Sequence, residues 1–141
     1  MFEMLQAYAG DIATLMFGLA AGGAWAAVIA APNVSYDRLD AGRADGHVRT
    51  LLLETCAPIS GLLLAAAALS LLAGHMAAAI VAGVGAFGFF TNRWTLAAKK
   101  KGEAPPGVRQ KKKTQRVVAV SFSLIFSVVA LAGAVLSIIG I

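Results

Sequence analysis

The chain has 141 residues, 59% of them hydrophobic and 13% charged, with a net charge of +5. Soluble domains carry roughly a quarter charged residues, and so short a chain has too little interior to hide that much apolar surface from water. The composition therefore excludes an ordinary water-soluble globule and points to lipid, in line with a mean hydropathy of +0.78.

The first apolar run, residues 12–31, reads "IATLMFGLAAGGAWAAVIAA", about the 20 residues that a bilayer core requires. Pro32 and Asn33 are expected to end it. Glu3 and Asp11 precede it and no Lys or Arg does, so it lacks the basic leader of a cleaved signal peptide and reads as a retained helix. A polar stretch, 32–50, follows and is expected to be a loop. Within it "DRLDAGRADGHVR" mixes acids and arginines, as a solvated segment with weak local ion pairs would. The second run, 51–73, carries Glu54 and Pro58 near its start. Gly74 and His75 make a tight turn into the third run, 76–97. A second polar stretch, 98–116, holds "KKKGEAPPGVRQKKK", whose Gly-Glu-Ala-Pro-Pro-Gly centre breaks any helix. The fourth run, 117–141, closes the chain. Backbone groups in lipid need internal partners, so separate runs of this length are helices. The expected fold is all-α: one transmembrane domain over 1–141, a four-helix bundle.

Charge sets the expected orientation. All twelve basic residues lie at one end of the four-helix path: Arg38, Arg43 and Arg49 in the first polar stretch, Arg93 at the end of the third run, and the remainder in the second stretch. The N-terminus, the Gly74-His75 turn and the C-terminus hold none. The positive-inside rule places the basic end in the cytoplasm and both termini on the non-cytoplasmic side, as in a bacterial inner membrane. Lys99, Lys100, Lys101, Lys111, Lys112 and Lys113 are then a membrane-surface basic segment, each worth roughly 1 kcal/mol against anionic headgroups. No aromatic is interleaved with them to stack bases, so no nucleic-acid partner is expected.

Helices in lipid associate through close backbone approach. Thr14, Gly18, Gly22, Ala26 and Ala30 place a small residue at every fourth position of the first helix, with Gly18 and Gly22 a G-x-x-x-G pair, and Gly83 belongs to a similar stripe on the third. Gly18, Gly22, Ala26 and Gly83 are expected to pack helices, within the chain or against a homo-oligomer mate or another membrane subunit. Trp25, Trp94 and Tyr8 suit interfacial belts. Ser121, Ser123, Ser127 and Ser137 are expected to bond to their own helix.

Ionisable residues inside spans mark candidate chemistry. Glu54 and Arg93 fall at the same depth near the basic end, which predicts a site in which they meet, with Asn92 beside them. The alternative is that both lie in the headgroup zone, with the second helix beginning at Cys56 and Arg93 extended to the surface. Pro58 removes a donor from the Glu54 carbonyl and predicts a kink or notch there. His47 and His75 fall at opposite ends and cannot share one haem. Cys56, the only cysteine, lies in an apolar run as a small hydrophobe. No disulfide, metal site or cofactor is expected, and no catalytic constellation is apparent.

"GLAAGGAWAAVIAAPNVSYDRLDAGRA" and "TNRWTLAAKKKGE" resemble the first helix and loop, and the end of the third helix, of small four-helix bacterial membrane proteins of the anthrone-oxygenase-like and copper-resistance-D-like kind. That resemblance implies the four-helix plan and no settled activity. The glutamate with a proline four residues on, Glu54 and Pro58, is similar to the second helix of the MAPEG family. There it implies a membrane enzyme with both termini outside, although Leu51 stands where that family has an asparagine. Three functions stay open: an accessory, scaffold or assembly protein of the membrane, an enzyme acting on a lipophilic substrate at the cytoplasmic leaflet, or a small transporter or channel, against which stands the lack of an ionisable residue near any helix midpoint.

Overall fold

A computed structural model describes residues 1–97 and 108–141. Helix α1 (Phe2–Trp25) passes through a π-helical turn (Ala26–Ala30) into α2 (Ala31–Arg38); α3 (Ala41–Ala73), α4 (Met76–Ala97) and α5 (Val108–Ile139) follow. Four of these segments are long and apolar enough to cross a membrane: Glu3–Arg38, Ala41–Ala73, Met76–Ala97 and Val117–Ile139.

The helices outrun the apolar runs at the basic end. Pro32 does not end the first one. A proline ring clashes with the carbonyl four residues back and offers it no hydrogen; here the Ala31 N–H bonds to the Ala26 carbonyl, five residues back, and the widened turn carries the helix past Pro32 to Arg38. The expected loop over 32–50 is accordingly helix, apart from a short break at Leu39 and Asp40. Asp40 is extended and its carbonyl accepts from Arg43 and Ala44, which starts α3. Helix α3 has 33 residues, about 50 Å at 1.5 Å per residue, so its first turns project beyond an apolar slab of about 30 Å. Pro58 lies inside α3 without ending it. Helix α5 likewise begins at Val108 rather than 117, because past Pro105, Pro106 and Gly107 the Arg, Gln and Lys residues are good helix formers. Lys111, Lys112 and Lys113 are thus helical; Lys99, Lys100 and Lys101 lie outside the described residues.

The bundle is a square. Helix α1 packs on α3 and α5, and α4 packs on α3 and α5 across from it. At the end bearing both termini, Gly74 adopts the left-handed conformation (φ +85°) and the His75 N–H bonds back to the Ser70 carbonyl, a glycine-closed helix end. The Ile141 carbonyl accepts from Ala78 N at 3.1 Å, which fastens the C-terminus to the start of α4.

The core is built from small residues and a few large ones set into them. Phe17, Leu63 and Phe89 are buried among Ala20, Ala24, Ala66, Ala78, Ala82 and Ala86. Two glycines act as sockets: a Cβ on Gly133 would run into the Phe17 ring, and one on Gly88 into the Phe126 ring. The outside is apolar as well. Leu15, Leu19, Leu64, Ile80, Val84, Phe87, Ile125 and Val128 are exposed, a surface that suits hydrocarbon rather than water.

Candidate functional site

Glu54 and Arg93 come together, but on the outside of the bundle. Both are exposed, on adjoining helices α3 and α4, and line one shallow cavity of about 220 Å³ with Leu53, Phe90, Trp94 and Ala97. Trp94, 74% exposed, forms an outer wall. Near the same end, Arg49 donates to the Leu96 carbonyl at 2.8 Å, which satisfies an end carbonyl of α4 with a cation. The Thr55 hydroxyl is spent on the carbonyls of Leu51 and Leu52 in its own helix.

Asn92 does not join them. It is 5% exposed and faces α5, where its amide nitrogen donates to the Ala119 carbonyl at 3.1 Å and to Ser123 Oγ at 2.8 Å. One residue along a helix rotates the side chain by about 100°, so Arg93 and Asn92 face different neighbours. The expected trio is therefore split: Glu54 and Arg93 between α3 and α4, Asn92 between α4 and α5. On that second side lies a cavity of about 610 Å³, lined by Phe87, Asn92, Thr95, Phe122 and Phe126 among others.

The small-residue stripe also departs from expectation as a set of contacts inside the chain. Gly18, Gly22 and Ala26 are exposed, and a Cβ on either glycine would meet nothing within 4 Å. Gly83 is half-buried and equally open. The first helix packs instead through Ala13, Phe17, Ala20, Ala21 and Ala24, a face rotated from the glycines. Gly18, Gly22, Ala21, Trp25 and Leu131 border a shallow groove of about 290 Å³ between α1 and α5.

The serines are interhelical more often than expected. Ser123 accepts from Asn92, Ser60 Oγ donates to the Ala86 carbonyl at 3.0 Å, and Ser137 Oγ donates to the Gly10 carbonyl at 3.3 Å. Thr14 Oγ1 also donates to Ser137 Oγ at 2.9 Å. Ser127 follows the local pattern, donating to the Leu124 carbonyl, as Ser35 does to Ala31.

His75 sits at the terminal end in a polar cavity of about 450 Å³ with Gln6, Asp11, Thr14 and Ser137. A Cβ on Gly10 would stand 3.1 Å from its ring and one on Gly140 3.7 Å away, so the imidazole is held between two glycines. Its Nδ1 is buried without a partner among the described residues. His47 is exposed in the projecting part of α3, far from His75. In the same region the Tyr36 hydroxyl donates to the Asp45 carboxylate, which ties α2 to α3. Cys56 is buried in the core. Among the described residues no group of three His, Cys, Asp or Glu side chains is placed to hold a metal ion.

No family model, curated protein or solved structure matches the chain.

Proposed function

We propose that this is an integral protein of a bacterial inner membrane, of accessory, scaffold or assembly type, acting through contact with another membrane subunit. Four helices long and apolar enough to span, and an apolar exterior, support insertion. The basic residues gathered at one end support a cytoplasmic basic end with both termini outside. The observation that carries the function is the outward stripe of Gly18, Gly22 and Ala26 beside the α1/α5 groove. The chain's own packing leaves these residues unused, and a Gly-x-x-x-Gly face is what lets a second transmembrane helix approach closely in lipid. Meanwhile Asn92, Ser60, Ser123 and Ser137 are engaged in holding helices together.

The test is purification from the native membrane in mild detergent. A second membrane polypeptide is expected to remain at fixed stoichiometry with the natural chain and with Gly61→Leu, an equally open position on α3, and to be lost in Gly22→Leu. Retention in Gly22→Leu would sink the reading.

One observation favours the enzyme reading: Glu54 and Arg93 share a cavity toward the basic end of the bundle, where a lipophilic substrate with a polar head would meet the cytoplasmic leaflet in the proposed orientation, and the Glu54-Pro58 resemblance points the same way. Its test is turnover of a lipophilic substrate by the purified protein, abolished in Glu54→Gln with the fold intact.

A further inference from the structure

The cleft between α4 and α5 is graded from polar to aromatic. Thr95 and Thr114 stand toward the basic end, Asn92 and Thr91 come next, and Phe87, Phe122 and Phe126 line the end farther from it. From Thr114 to Phe126 the cleft runs about 18 Å along α5 at 1.5 Å per residue. Its volume, about 610 Å³, falls in the range of small-molecule pockets, about 300–1,000 Å³.

The aromatic end is held in place. Phe126 rests on Gly88, where a Cβ would collide with its ring. It packs at 6.0 Å on the core residue Phe89 and at 6.1 Å, nearly parallel, on Phe122. The polar groups share one character. Thr91 Oγ1 donates to the Phe87 carbonyl and Thr95 Oγ1 to the Asn92 carbonyl, which leaves their lone pairs. Asn92 spends its amide hydrogens on Ala119 and Ser123. The Ala119 carbonyl can only accept, so this fixes which side of the amide is nitrogen. The Asn92 Oδ1 has no donor among the described residues and is not sealed from the surface, in a residue 5% exposed that lines the cleft. These three side chains all offer acceptors above an aromatic slot.

We propose that the α4/α5 cleft binds a lipophilic molecule whose head donates a hydrogen bond, a phenol or alcohol, with its hydroxyl on Asn92 Oδ1 and its apolar body against Phe122 and Phe126. Ketone, ether and ester heads bring only acceptors and leave the Asn92 oxygen unpaired. The head chemistry has two sources: a small phenol, or the free hydroxyl of a diacylglycerol lipid.

The probe is radiolabelled 4-octylphenol, measured by equilibrium dialysis against the full chain in lipid nanodiscs, with empty nanodiscs as the blank. One saturable site per chain is expected. The methyl ether 4-octylanisole should bind about five- to tenfold more weakly, the value of one lost hydrogen bond. Val118→Trp fills the slot from α5 without removing a polar contact and should abolish the saturable component. Dioctanoylglycerol displaces the phenol if the lipid is the natural source and fails to displace it if a free phenol is. Binding no greater than to empty nanodiscs, equal affinity for the ether, or undiminished binding in Val118→Trp would each overturn the proposal.

Discussion

Replacing Gly133 by alanine adds one methyl group where the structure has no room for it. The new Cβ would collide with the Phe17 ring. Phe17 is 0% exposed and packs among Ala20, Ala21 and Ala130, so the ring has no free direction in which to move. Overpacking of this kind costs about 1–3 kcal/mol, and this outweighs the gain of roughly 0.5–1 kcal/mol that alanine normally has over glycine in a helix. The reverse change, Phe17→Ala, empties the socket and should cost about 3–5 kcal/mol. The two errors are complementary, so the double variant should recover stability, with a coupling of about 0.5–3 kcal/mol in a double-mutant cycle. The assay is reversible unfolding in mixed micelles followed by far-UV circular dichroism. Gly18→Ala is the internal control, because its added methyl meets nothing. Neutral Gly133→Ala with an additive cycle would refute the socket and the helix rotation that creates it.

Other outcomes follow from the same packing. Asn92→Ala breaks both bonds to α5 and should lower stability by about 1–2 kcal/mol, whereas Glu54→Gln, exposed on the outside, should stay within about 0.5 kcal/mol; the same unfolding assay compares them. Gly10→Val should displace the imidazole of His75 from between α1 and α5 and cost about 1–3 kcal/mol, visible as an earlier unfolding midpoint. For topology, in a Cys56→Ala background, Gln6→Cys should react with an impermeant maleimide on intact cells, and Gly46→Cys only after permeabilisation; the opposite pattern would invert the proposed orientation.

Four apolar runs were enough to foresee four helices, and Gly74 to foresee the tight turn between α3 and α4. The helix ends were not legible, because hydropathy marks where a segment becomes polar, not where it stops being helical. Arg, Lys and Gln continue α5 downward to Val108, and one π-helical turn lets α2 continue past Pro32. The rotation of each helix was equally hidden. These spans are apolar all round, so polarity does not indicate which side packs, and the spacing of Gly18 and Gly22 reads the same whether the stripe faces a neighbour or lipid. The candidate site shows both sides of this. Depth along adjacent helices brought Glu54 and Arg93 to one cavity, while adjacency in sequence misassigned Asn92. Its true partners, Ala119 and Ser123, belong to α5 and only the fold supplies them. The Phe17–Gly133 and Phe126–Gly88 sockets had no sequence signal beyond the presence of glycine.

The most direct test of a role through a partner is native mass spectrometry of the protein extracted from its own membrane in a mild detergent. A species containing one copy of this chain and one different membrane polypeptide, lost when Gly22 is replaced by leucine, is the predicted result. The mass of the chain alone, or of multiples of it unaffected by that substitution, would contradict the account.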